Sequence, residues 1–61
     1  PDPLIYREAL RRSGVPAEAC VFIDDRPANV EGARRVGMHA LQFTSAERCA
    51  ADLAQLGVVI P

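Results

Sequence analysis

The order of helical and strand-like segments constrains the fold of this chain more than any other feature of its sequence. Residues 19–23 form a short, continuous apolar run, and residues 39–43 form a second run with partial alternation. Helical patterns precede, separate and follow these runs, over residues 4–12, 28–36 and 45–56. Strands that alternate with helices indicate a parallel sheet joined by helical crossovers. The sequence therefore predicts an α/β fold with a partial Rossmann-like parallel sheet.

Capping residues mark where two of the predicted helices begin or end. Asp2 suits the N-cap of the first helix, with Pro3 as its first residue, and Gly14 suits the left-handed position after its end. The third helix is expected to have Thr44 as its N-cap. Glu47, three residues later, completes the pattern of a capping box.

The apolar positions predict which faces are buried and how much of the sheet is covered. Residues 19–23 suit a strand buried on both faces, and residues 58–60 are a candidate third strand. Three helices do not cover both faces of such a sheet. Residues 1–61 are therefore expected to be the C-terminal part of a larger core domain, with no complete independent domain. The positions expected to face inward are Leu4, Ile5, Ala9 and Leu10, then Val30, Ala33 and Val36, then Ala50, Leu53 and Leu56.

Charge and composition argue against several classes of partner. Seven basic and eight acidic residues are mixed along the chain and give a net charge of −1, so no basic patch for nucleic acid is expected. The apolar runs are too short to span a bilayer, and no secretory leader is recognisable. Cys20 and Cys49 are interpreted as reduced thiols, which agrees with a cytoplasmic location.

Asp24 and Asp25 lie side by side directly after the apolar residues 21–23. Two neighbouring carboxylates repel each other and need compensation. In open parallel sheets, ligand sites gather at the carboxyl ends of strands, and paired acidic oxygens there suit Mg²⁺. Strand alternation predicts that one carboxylate is a direct metal ligand and the other a supporting group. Asn29, one helical turn further on, is expected to support the loop with side-chain hydrogen bonds.

Other interpretations of these residues remain open at this point. An Asp before a helix is often an N-cap, and Asp25 before Pro27 would serve in that role. Arg26 either faces a substrate phosphate or is a solvated charge. His39 is either a general base or an ordinary strand residue.

Residues 1–57 resemble the C-terminal part of a haloacid-dehalogenase-like (HAD) hydrolase. The resemblance is to the subgroup that includes phosphoglycolate-phosphatase-like enzymes and the phosphatase domain of soluble epoxide hydrolase. It rests on the Pro-Asp-Pro start, on a strand that ends in two aspartates, and on the residues that follow. The matching positions are Asp24, Asp25, Asn29, Gly37 and Met38.

The resemblance implies magnesium-dependent phosphoryl transfer from a small phosphorylated metabolite through an aspartyl-phosphate intermediate. It implies that Asp25 is the direct Mg²⁺ ligand. Asp24 would contact metal-bound water and the lysine of the family, and thereby act in both metal binding and catalysis. An acidic pair also argues against the dehalogenase branch of the family.

Other motifs of the family do not occur within these 61 residues. No Asp-x-Asp nucleophile motif and no lysine is present, so the segment by itself is not expected to turn over substrate. A receiver-like signalling domain and a non-catalytic HAD remnant are the alternatives to a phosphatase fragment. Because part of the sheet is expected to be uncovered, we also expect self-association.

Overall fold

A computed structural model describes residues 2–58 as three α-helices, two strands and one turn of 3₁₀-helix. This α/β composition confirms the predicted fold class. No helix of the described range is long and apolar enough to cross a membrane. In chain order, the elements are α1 (Pro3–Ser13), a 3₁₀ turn (Ala17–Ala19), β1 (Val21–Asp24), α2 (Pro27–Arg35), β2 (His39–Gln42) and α3 (Ala46–Gln55).

The two strands form a parallel sheet, as the sequence predicts. β1 pairs with β2 in a register that sets Val21 opposite His39 and Asp24 opposite Gln42. α2 connects the strands, and both strands contact it. The carboxyl ends of the two strands therefore lie side by side, and the chain enters α2 directly from the end of β1.

The first helix begins and ends at the predicted residues. The side chain of Asp2 accepts a hydrogen bond from the backbone N–H of Leu4 at 2.9 Å, and Pro3 occupies the first turn. Gly14 follows the helix with a φ of 69°, and its N–H donates to the carbonyl of Leu10. Glycine adopts this left-handed conformation without the steric penalty that a Cβ brings, so α1 ends there.

The core lies between α1, α2 and one face of the sheet. Its buried residues are Tyr6, Val30, Ala33 and Ala40. Val30 and Ala33 confirm the predicted inward face of α2, and Val36 is half-buried at its end. The ring of Tyr6 meets the ring of half-buried Phe22 edge to face, with centroids 5.4 Å apart. Edge-to-face aromatic pairs add to the stabilisation from burial alone.

The predicted inward face of α1 is wrong for Leu4, Ile5 and Ala9 and is confirmed for Leu10. Leu4 is 65% exposed and Ile5 66% exposed, whereas Tyr6 is buried and Leu10, four residues later, is half-buried. Residues four apart share one face of a helix, and Tyr6 and Leu10 define the face that meets the rest of the described fold. Ala9 is exposed beside Leu4 and Ile5 on the other side of the helix.

The start and burial of β1 also differ from the prediction. Ala19 and Cys20 donate backbone hydrogen bonds to the carbonyls of Pro16 and Ala17, so the chain turns in a 3₁₀ helix before the strand begins. Ile23 is 42% exposed, so the expected burial on both faces is wrong for the described residues. The reason is that α1 and α2 cover only the face that carries Phe22.

The third helix begins one residue later than the capping box predicts. Ser45, not Thr44, is the N-cap, and its hydroxyl accepts a hydrogen bond from the N–H of Arg48 at 3.1 Å. Of the predicted stripe, Leu53 is half-buried, whereas Ala50 and Leu56 are exposed. Val58 belongs to no strand, and the rest of the candidate third strand lies outside the described residues.

Candidate metal and phosphoryl-transfer site

The acidic pair lies at the carboxyl end of the sheet, where β1 passes into α2. Asp24 is the last residue of β1, and its carbonyl accepts a hydrogen bond from the N–H of Phe43 at 2.8 Å. The side-chain amide of Gln42 donates to the carbonyl of Asp25 at 3.3 Å. These two contacts fix the backbone of the acidic pair to the end of β2.

The carboxylate of Asp24 is held by several hydrogen bonds and is only 14% exposed. Its Oδ1 accepts the backbone N–H of Arg26 at 2.9 Å, and its Oδ2 accepts the side-chain amide of Asn29 at 3.0 Å. The N–H of Arg26, its guanidinium and the amide of Asn29 together hold the pKa of Asp24 well below its usual value. Asp24 is therefore ionised and fixed in orientation at neutral pH.

The carboxylate of Asp25 has a different environment and is 76% exposed. Its nearest cationic group is the guanidinium of Arg26, whose Nε lies 3.9 Å from Oδ1. The capping alternative is wrong, since Arg26 is the N-cap of α2 and no side chain caps that helix. Asp25 thus presents exposed carboxylate oxygens at the rim of the sheet, with Arg26 beside them.

Asn29 reaches Asp24 as its spacing predicts, but the sequence does not reveal how Asn29 itself is held. The hydroxyl of Tyr6 donates a 3.0 Å hydrogen bond to the carbonyl of Asn29. This contact joins residues 23 positions apart and links α1 to the first turn of α2, directly after the acidic pair. No local pattern signals it, because it depends on how α1 crosses α2.

His39 lies away from the acidic pair. It is the first residue of β2 and pairs with Val21, at the amino end of the sheet. A general base for this site would have to approach the carboxyl end. The structure therefore favours the interpretation of His39 as an ordinary strand residue.

The chemistry of the donors fits part of a magnesium shell. Asp24 and Asp25 offer hard carboxylate oxygens of the kind that Mg²⁺ prefers. Within residues 2–58, no group of three or more His, Cys, Asp or Glu side chains lies close enough to bind an ion together. Two carboxylates do not complete a magnesium shell, so an ion held here would need further ligands from water, substrate or other protein groups.

A parallel α/β sheet with paired acids at the carboxyl end of a strand is the arrangement expected of a HAD-type core. The family described as HAD-hydrolase-like matches residues 1–59. The chain belongs to this family. This assignment confirms the resemblance and decides against the receiver-domain alternative, while the phosphoglycolate-phosphatase-like subgroup stays a prediction.

A relative from Arabidopsis thaliana is similar to almost the whole chain. This protein, "Flavin mononucleotide hydrolase 1, chloroplatic", is 47% identical over 58 residues, which cover 95% of the present chain. The same residues cover 24% of the relative, so the chain spans about a quarter of that protein's length.

Proposed function

We propose that these residues are the C-terminal part of a magnesium-dependent HAD phosphatase that forms an aspartyl-phosphate intermediate. The family assignment supports hydrolase chemistry. The observation that carries the proposal is the position of Asp24 and Asp25 at the carboxyl end of β1, where parallel α/β folds place their ligand sites. The nucleophile and the lysine of the family would come from parts of the protein outside residues 1–61.

The two carboxylates have different roles in this proposal. Asp25 is the direct ligand, because its exposed oxygens accept no hydrogen bond from the other described residues. Asp24 orients metal-bound water and the lysine, because Arg26 and Asn29 hold its oxygens in place. Asn29 is the structural support of the loop. A magnesium ion at this position would offset negative charge on the transferring phosphoryl group.

The similarity to a flavin mononucleotide hydrolase suggests a substrate class. Flavin mononucleotide is a small phosphate monoester, which agrees with the predicted small phosphorylated metabolite. We therefore propose it as the first substrate to test. The cytoplasmic location and self-association stay predictions.

Phosphatase assays on the complete protein test the proposal. The protein is expected to release phosphate from flavin mononucleotide or para-nitrophenyl phosphate with Mg²⁺ and to lose this activity in EDTA. Restoring Mg²⁺ should recover the activity. Undiminished hydrolysis in EDTA would contradict magnesium dependence. The absence of hydrolysis across a panel of phosphate monoesters would favour the non-catalytic alternative.

A further inference from the structure

The guanidinium of Arg26 lies against both carboxylates of the acidic pair. Its Nε is 3.3 Å from Oδ1 of Asp24 and 3.9 Å from Oδ1 of Asp25, and its terminal nitrogen is 3.4 Å from Oδ2 of Asp24. Among the described residues, the guanidinium contacts no other acceptor. Arg26 therefore supplies positive charge that offsets part of the repulsion between the two adjacent aspartates.

The side chain of Arg26 is held less firmly than its backbone. It is 73% exposed, and its long contacts of 3.3 to 3.9 Å are weaker than the backbone hydrogen bond at 2.9 Å. That backbone bond, from the N–H of Arg26 to Asp24, does not depend on the side chain. The hydrogen bond between the backbone of Arg26 and Asp24 can therefore persist whether or not the guanidinium stays on the carboxylates.

A divalent ion bound directly by Asp25 would displace the guanidinium from Oδ1 of Asp25, and water bound to that ion would compete with the guanidinium for the oxygens of Asp24. The ion and the guanidinium would also repel each other, because both are positively charged and water does not fully screen such charges at close range. An arginine at this position therefore stabilises the metal-free pair, and it opposes metal binding for the same reason.

We propose that Arg26 is an intramolecular counter-cation that Mg²⁺ must displace, and that it thereby weakens the metal affinity of the site. This inference rests on the proposed function, because it assumes that Asp24 and Asp25 bind the ion. In the metal-free protein, Arg26 offsets part of the negative charge of the pair. In the metal-bound protein, its guanidinium lies away from the carboxylates.

Calorimetric titration of Mg²⁺ into the complete protein, without substrate, tests the inference. Arg26→Gln is expected to tighten the Kd by about threefold to tenfold at low ionic strength, and the gain should shrink as salt rises. Arg26→Lys keeps the charge and should stay within about twofold of wild type. Arg35→Gln is the matched control, since Arg35 is exposed on α2 and pairs with Glu31 at 3.7 Å. It should leave the Kd unchanged.

The outcomes separate the two proposals. If wild type binds Mg²⁺ and Arg26→Gln binds it equally or more weakly, the counter-cation role is wrong while the proposed metal site stands. Equal tightening by Arg26→Gln and Arg35→Gln would show an effect of net charge alone and would also overturn the inference. If wild type binds no Mg²⁺, both proposals fail.

Discussion

Tyr6 of α1 lies directly against Gly32 of α2. A Cβ at position 32 would stand 2.7 Å from Cε2 of the tyrosine ring and 3.0 Å from both Cζ and the hydroxyl oxygen. Only glycine leaves room for the ring at this crossing. The close approach brings the hydroxyl of Tyr6 to the carbonyl of Asn29, and Asn29 in turn donates to Asp24.

Gly32→Ala is therefore expected to destabilise the protein. In an ordinary helix this substitution stabilises by roughly 0.5–1 kcal/mol, but overpacking against the Tyr6 ring should reverse the sign and cost about 1–3 kcal/mol. Urea unfolding of the complete protein measures the change. In a Tyr6→Leu background, which removes the ring, the cost should fall. A gain in stability in the wild-type background would contradict the close packing.

Tyr6→Phe tests the hydrogen bond to Asn29 separately from the packing of the ring. The substitution removes the hydroxyl and keeps the contact with Phe22, so we expect a loss of about 1 kcal/mol in the free energy of unfolding. Denaturant unfolding is again the measurement. Equal stability of the two proteins would mean that this hydrogen bond contributes nothing.

Arg34→Ala is expected to weaken the edge of β2. The guanidinium of Arg34 donates to the carbonyl of Ala40 from Nε at 3.3 Å and from its terminal nitrogen at 3.0 Å. Loss of both bonds should cost about 1–2 kcal/mol. Arg35→Ala on the next residue breaks only an exposed ion pair with Glu31 and should change stability by less than about 0.5 kcal/mol. Similar effects of the two substitutions would refute a special role for Arg34.

The lowered pKa of Asp24 predicts how stability depends on pH in metal-free buffer. A carboxylate whose pKa is lower in the folded than in the unfolded state stabilises the fold above the unfolded value. This contribution is lost as pH falls through the folded value. For Asp24 the loss should begin as the pH falls below the usual value of 3.8.

Unfolding in EDTA over a series of pH values measures this dependence. The free energy of unfolding of wild type should fall more steeply in acid than that of Asp24→Asn, which has no titrating group at this position. Parallel curves for the two proteins would contradict the electrostatic account of Asp24.

The elements that depend on local chemistry are those that the sequence predicts well. The spacing of Val30 and Ala33 gives the buried face of α2, and Asp2 and Gly14 mark the ends of α1, because periodicity and capping are properties of a few neighbouring residues. Asn29 contacts Asp24 for a similar reason, since the two residues are only five positions apart, across a turn into a helix.

The features that the sequence does not predict depend on tertiary packing. Leu4 and Ile5 are as apolar as Tyr6, but Tyr6 is the one that is buried, on the face of α1 that packs closely against Gly32 of α2. The position of Arg26 over both carboxylates likewise depends on a side-chain orientation that no spacing fixes. These contacts determine how the acidic pair is held.

The Mg²⁺ affinity of Asp25→Asn, measured by calorimetry on the complete protein, is the decisive test of whether the acidic pair binds the ion. Glu18→Gln is the matched control, because it removes the same charge from an exposed residue in the 3₁₀ turn before β1. If Asp25 is a direct ligand, the Kd should be at least about tenfold higher for Asp25→Asn and unchanged for Glu18→Gln. Equal affinity of wild type and Asp25→Asn would contradict the assignment of the acidic pair as a magnesium site.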